Sequence, residues 1–253
     1  MADFLISILS FLVGLFAGVI SVTTGGAALI NIPFLLIIGL NPSIAIATSK
    51  FSILGSLLAG SIKYHGKDII KDKKLAVFLS TATLIGSIIG ANLVISIDPS
   101  TLKVILIPLL MLVLLISVFK KELGETKKKT TTAKKSYISC FITIFLLSIY
   151  GGFFGAGFGT FVVFSLIFFF GLTFLESSAL MTVINVVSSL AAVSIFAYNG
   201  VIDYSFGLPL LIGTSFGGYI GAHYAVIKGS KLIKKLFIIV TSLLLIKLIT
   251  DMI

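Results

Sequence analysis

Apolar residues fill this chain in long runs separated by short polar gaps, and the runs set the elements. Hydrophobic segments fall at 4–22, 27–40, 44–62, 75–97 and 101–119, then at 137–155, 158–172, 178–197, 205–227 and 232–252. Runs of about 18 or more apolar residues predict membrane-spanning helices. A transmembrane β-barrel is excluded, because its strands alternate polar and apolar over about ten residues. Segments 27–40 and 158–172 are short, and serve either as full spans or as arms of re-entrant hairpins. Both choices leave the flanking loops on the same sides.

Ten segments in two sets of five invite a search for a repeat. Gly25 and Gly39 match Gly157 and Gly171 at an offset of 132, and Gly86, Gly90 and Ala91 match Gly217, Gly221 and Ala222 at 131. Tyr64-His65-Gly66 and Tyr198-Asn199-Gly200 close the third segment of each half. The expected organisation is a first repeat over 1–119, a linker over 120–136 and a second repeat over 137–253.

Charge adds sidedness. The chain is 58% hydrophobic and 11% charged, with a mean hydropathy of +1.21 and a net charge of +10. All 19 basic residues are lysines, and 16 of them lie in 63–74, 120–135 and 228–235. Such clusters beside membrane segments mark cytoplasmic loops and attract anionic lipid headgroups, which accounts for the charge without nucleic acid. The loop after the third segment is lysine-rich in the first half and lysine-free in the second, and the loop after the fourth shows the reverse. Equivalent loops therefore face opposite sides, which predicts two inverted-topology repeats with both termini outside and the linker in the cytoplasm. The single cysteine, Cys140, excludes a disulfide framework. Phe4 to Ala17 lacks the basic start of a signal peptide and reads as part of the first span.

Two glycine clusters interrupt these runs: Ser21-Val22-Thr23-Thr24-Gly25-Gly26, and Gly151-Gly152-Phe153-Phe154-Gly155-Ala156-Gly157-Phe158-Gly159-Thr160. Paired breaks in inverted repeats are the architecture of secondary transporters, whose half-helix N-termini bind solute near the midplane. Helix starts carry partial positive charge and favour anions. The alternative for such glycines is close helix packing, and Gly14–Gly18, Gly86–Gly90 and Gly217–Gly221 are read that way. The candidate site comprises Thr23, Thr24, Gly25, Gly26 and Asn31 from the first break. Gly155, Ala156, Gly157, Gly159 and Thr160 join from the second. Pro33 is expected in the first turn of the helix that follows the first break.

Lys50 lies inside the third segment, beside Thr48 and Ser49. An intramembrane charge is costly and marks function, unless it snorkels to the interface. Asn185 and Ser189 recur with Thr182 at helical spacing in the second half, forming either a polar face toward the site or interhelical hydrogen bonds. Glu176 is either a helix-start charge or a proton-coupling group, and His223 is either a proton relay or a packing residue. No nucleophile–base pair, phosphate loop or metal-ligand spacing occurs, so neither an enzyme, a cofactor nor a metal is expected.

The run Gly14-x3-Gly18-x6-Gly25-Gly26-x6-Pro33, then Gly39-Leu40-x4-Ala45-x-Ala47-Thr48-Ser49-Lys50, resembles the first half of the sulfite exporter TauE/SafE permease family. Gly151 to Thr160, Gly171, Ala179, Asn185 and Tyr198-Asn199-Gly200 resemble its second half. The resemblance covers nearly the whole chain and implies a multi-pass inner-membrane permease exporting sulfite, sulfonates or related organic anions. It departs at Thr23-Thr24, where family members often carry another glycine. The expectation is a permease in which one half rocks against the other around the breaks, with Lys50 supplying charge. Its partners are a small anionic solute, membrane lipids and a second copy of the chain as a homodimer. The alternative is a membrane assembly or interaction protein, whose breaks are packed without a polar cavity.

Overall fold

A computed structural model of the chain describes residues 2–65, 69, 72–102, 104–105, 108 and 134–228. Most of the linker over 120–136, most of segment 101–119, all of segment 232–252 and most of the lysine-rich loops lie outside the described residues. All regular structure among the described residues is helical: α1 (Ala2–Thr24), α2 (Ala28–Ile37), α3 (Pro42–His65) and α4 (Lys73–Ser96) in the first half. The second half supplies α5 (Lys134–Phe153), α6 (Phe158–Phe170), α7 (Phe174–Tyr198) and α8 (Tyr204–Lys228). Six of these are long and apolar enough to cross a membrane. The exceptions are α2 with 10 residues and α6 with 13. They reach only about 15 and 20 Å at 1.5 Å per residue, against about 30 Å of hydrocarbon, so neither crosses alone.

Local chemistry fixes the helix starts. Asn41 Oδ1 accepts from the Ile44 N–H at 3.0 Å, and Asp72 Oδ1 from the Leu75 N–H at 2.8 Å. Thr173 and Glu176 form a capping box on α7. Asp203 Oδ1 takes the Ser205 and Phe206 N–H groups at the head of α8. Helix α2 starts at Ala28, so Pro33 sits in its second turn rather than its first. The proline removes one backbone donor there, a position its ring alone would not predict. The two glycines of the first break, not the proline, decide where α2 begins.

Small residues bring the long helices together. A β-carbon on Gly14 would meet the backbone of Leu210, one on Gly18 that of Thr214 and Gly218, and one on Gly221 that of Val19. The contact partners rise together along both helices, so α1 and α8 run parallel. Gly86 meets Phe145, Ser148 and Ile149, while Gly90 meets Ile149, Gly152 and Phe153, so α4 and α5 are parallel as well. Helix α3 also runs with α8, through Phe51 on Gly207, Gly55 on Leu211 and Ser56 on Gly218. It runs against α7, with Thr48 bonded to Asp203 beyond the end of α7 and Gly60 beside Thr182 near its start. The packing reading of the Gly14–Gly18, Gly86–Gly90 and Gly217–Gly221 pairs thus agrees with their contacts.

These interfaces cross the midpoint of the sequence. The broadest contact of α1 is with α8, and that of α4 is with α5. The helices therefore do not sort by half. One apolar cluster gathers Ile20, Leu29, Ile32, Ile46 and Leu57 with Phe154 and Phe196, and another gathers Leu79 and Ile144 with Val162, Leu166 and Ile184. The outer faces carry exposed Leu5, Ile62, Val77, Phe168 and Ile227, as lipid contact requires.

Candidate functional site

The two breaks touch. Gly25 has a φ of +71°, a conformation that side chains disfavour, and a β-carbon on it would run into the backbone of Gly159 and Thr160. Gly159 faces back onto the Cα of Gly25, with Met181 Sδ beside it. Because α1 ends here, its last carbonyls need partners other than its own ladder. Tyr64 Oη donates to the Val22 carbonyl at 3.0 Å, and Ser178 Oγ to the Thr23 carbonyl at 3.1 Å. The second break is pinned by Tyr150 Oη, which donates to the Ala156 carbonyl at 2.5 Å. Neither half-helix has a capping side chain at its N-cap, which is Ala27 for α2 and Gly157 for α6.

A small cavity opens beside this contact. Its polar wall is Ser21, Ser49, Lys50 and Asn185. Backbone of Gly25 and Gly155 and the start of α2 at Ala27 and Ala28 complete it, with Ile46, Ile53 and Phe154 as its apolar wall. The space admits the centre of a water molecule over about 10 Å³, room for roughly one water. A larger guest enters only if the walls part.

Lys50 dominates the cavity. It is 5% exposed, although it lies only about 12 Å along α3 from Pro42 at 1.5 Å per residue. Its Nζ sits 5.7 Å from the centroid of the Phe158 ring and 3.3 Å from where a β-carbon on Gly155 would stand. The side chain turns inward to the second break and does not snorkel. Among the described residues it makes no ion pair and no hydrogen bond. The ring supplies a cation–π contact, which leaves three ammonium protons without acceptors. Two neighbours are equally unsatisfied: Ser49 Oγ and Asn185 Oδ1 are buried with no partner. Asn185 Nδ2 has only Met181 Sδ, at 3.9 Å. Asn185 lies at the middle of α7.

Of the residues singled out from sequence, Gly25, Ser49, Lys50, Gly155 and Asn185 line the cavity. The others stand apart from it. Thr23 Oγ1 turns back onto the Val19 carbonyl at 3.0 Å, and Asn31 Nδ2 donates to Ser52 Oγ at 3.1 Å. Thr48 Oγ1 accepts the Asp203 N–H at 3.0 Å on another face of α3. Gly26, Ala156, Gly157 and Thr160 belong to the breaks, Gly159 through its contact with Gly25, Thr24 ends α1, and Ser189 is buried within α7, its Oγ without a partner among the described residues. Glu176 accepts from the Thr173 N–H and hydroxyl, both at 2.9 Å, in the capping box. His223 is exposed on α8, its ring 5.8 Å from that of Tyr224 and away from the cavity.

Ser21 belongs to the hydroxyls of the first break read from sequence, whereas Ala27, Ala28, Ile46, Ile53 and Phe154 were passed over as site residues. The signal was present in the spacing: Ile46, Ser49, Lys50 and Ile53 follow i, i+3, i+4, i+7, one stripe of α3. Ser21 stands four residues before Gly25, on the same face of α1, and accepts from Ser56 Oγ at 2.7 Å.

The sequence profile of the family described as Sulfite exporter TauE/SafE matches residues 10–248. The chain belongs to that family. Its relatives include a "Probable membrane transporter protein" of Haemophilus influenzae, 29% identical over 242 residues, covering 95% of this chain and 93% of the relative. The "Probable membrane transporter protein YfcA" of Escherichia coli K12 is 28% identical over 245 residues, covering 95% of this chain and 88% of the relative. A "Probable membrane transporter protein ORF9" of a Sinorhizobium species is 29% identical over 255 residues, 99% of this chain and 96% of its own length. No solved structure matches the chain. TauE/SafE is a family of membrane transporters and not of enzymes. With six apolar helices, this member is a multi-pass membrane protein.

Proposed function

We propose that this TauE/SafE protein carries a small oxyanion, such as sulfite or an organosulfonate, outward across the cytoplasmic membrane by alternating access. The observation that carries the proposal is Lys50: a buried ammonium with no counter-ion among the described residues, beside the unpartnered Ser49 hydroxyl and the start of α2. An unpaired charge inside a membrane protein is expensive, and an oxyanion supplies what it lacks. The anion accepts from Lys50 Nζ and Ser49 Oγ, and from Asn185 Nδ2 once it leaves its long contact with Met181 Sδ, while the positive end of α2 adds attraction. The nearly filled cavity corresponds to an occluded conformation that opens to each side in turn.

Parallel packing of α1 with α8 and of α4 with α5 supports an inverted repeat, since each pair joins a first segment of one half to a fourth segment of the other. The lysine clusters at 63–74, 120–135 and 228–235 support cytoplasmic placement of those loops and both termini outside. A polar cavity beside the breaks favours transport over a purely structural membrane role.

The test is flux. The protein is reconstituted into vesicles, and exchange of labelled sulfite, methanesulfonate and acetate is measured under imposed proton or sodium gradients. Wild-type protein is expected to exchange at least one oxyanion. Lys50→Ala is expected to lose roughly 10- to 100-fold in affinity, the loss typical of a charged hydrogen bond worth about 1.5–3 kcal/mol. Absence of binding and flux for all three anions removes the proposal; unchanged affinity in Lys50→Ala removes Lys50 from it.

A further inference from the structure

We propose that the cavity is built for a monovalent anion, and that Lys50 alone sets this valence. The inference rests on the anion-transport reading and narrows its substrate class. Among the described residues the cavity holds one formal charge: its other lining side chains are Ser21, Ser49, Asn185 and apolar groups. The repeat does not double that charge. Thr182 stands at the offset of 132 from Lys50, and its hydroxyl is spent on the Ser178 carbonyl at 2.8 Å. Helix α2 adds roughly half a positive charge at its start, short of a second cation.

Charge balance then decides between guests. With a singly charged anion bound, the Lys50 ammonium is neutralised and the occluded site carries no net charge. With a dianion, one negative charge stays uncompensated in surroundings of Ile46, Ile53 and Phe154. Desolvation cost grows with the square of the charge, so the dianion pays more to enter and recovers only one partner. The apolar lining beside Lys50, from Ile46 and Ile53 on its own stripe of α3 and from Phe154, also suits an anion with a small apolar end, such as a methyl sulfonate, better than one whose every face needs a hydrogen bond.

The experiment compares two tetrahedral sulfur oxyanions of similar size, methanesulfonate with one charge and sulfate with two. Binding to the full chain in detergent is measured by calorimetry at neutral pH. Methanesulfonate is expected to bind at least tenfold tighter than sulfate. Asn185→Lys, which sets a second ammonium on the cavity wall, is expected to shift the ratio at least tenfold toward sulfate. Ser49→Lys does the same from α3, and serves if the first variant does not fold. Equal affinities in the native protein, tighter sulfate binding, or a ratio unmoved by a folded second-lysine variant each overturn the valence assignment while leaving anion transport standing. Absence of binding for both anions and for sulfite overturns the transport reading itself.

Discussion

Gly25 shows how one residue can be indispensable for two unrelated reasons. Its φ of +71° is disfavoured for any side chain, and its missing β-carbon is where the second break passes. Gly39 isolates the first effect, since its φ is +98° but nothing lies within 4 Å of the position of a β-carbon. Gly39→Ala is therefore expected to cost about 1 kcal/mol through backbone strain. Gly25→Ala adds a collision with the backbone of Gly159 and is expected to cost several-fold more and to abolish flux. Thermal unfolding in detergent measures both; equal losses would show that the breaks do not touch. The glycines were legible in sequence because polyglycine in hydrocarbon has few uses. The hydroxyls beside them were not. Thr23 reads as a ligand by type, yet a threonine in a helix readily bonds the carbonyl four residues back, and nothing in the sequence says which way it turns.

At the scale of the element, helix boundaries followed hydropathy closely: the expected 178–197 extends to Phe174–Tyr198 and 205–227 to Tyr204–Lys228. The extensions are capping turns, polar enough to escape a hydropathy reading but fixed by local hydrogen bonds. Glu176 is the informative case, because a carboxylate at a membrane-helix start suits either a cap or a proton site. Its two bonds from Thr173 identify a cap, and a glutamine can accept the same bonds. Glu176→Gln is expected to keep stability and proton-driven flux, while Glu176→Ala costs about 1 kcal/mol by loss of the capping box. A folded Glu176→Gln variant whose flux no longer responds to a proton gradient would reassign the residue to coupling. The shortness of α2 and α6 was only half legible. Their apolar runs were long enough to leave a full span open, and Gly39 and Gly171 with the capped starts of α3 and α7 shortened them.

For the whole molecule, the sequence suggested two repeats and hence two moving halves, but packing redistributes them. Helices α1 and α3 of the first half run parallel with α8 of the second, and α4 of the first half runs parallel with α5 of the second. Covalent order places repeats side by side on paper; small-residue interfaces, which depend on what each helix meets across the membrane, pair α1 with α8. If the bodies that rock are these mixed groups, with α7 moving alongside α4 and α5, a link inside a group is harmless and a link between groups is not. In a Cys140→Ser background, Thr48→Cys with Asp203→Cys joins α3 to the cap of α8, at a pair now bonded at 3.0 Å. Gly60→Cys with Thr182→Cys, made with Val22→Ala to relieve the 2.5 Å approach of the new β-carbon to Val22 Cγ1, joins α3 to α7, where that β-carbon comes 3.5 Å from the Thr182 methyl. Oxidation is expected to stop exchange in the second pair and reduction to restore it, while the first pair exchanges anion in both states. If oxidising each of the two pairs blocks flux, α3 moves against both α7 and α8, and the sequence halves rather than the packed groups are the working bodies.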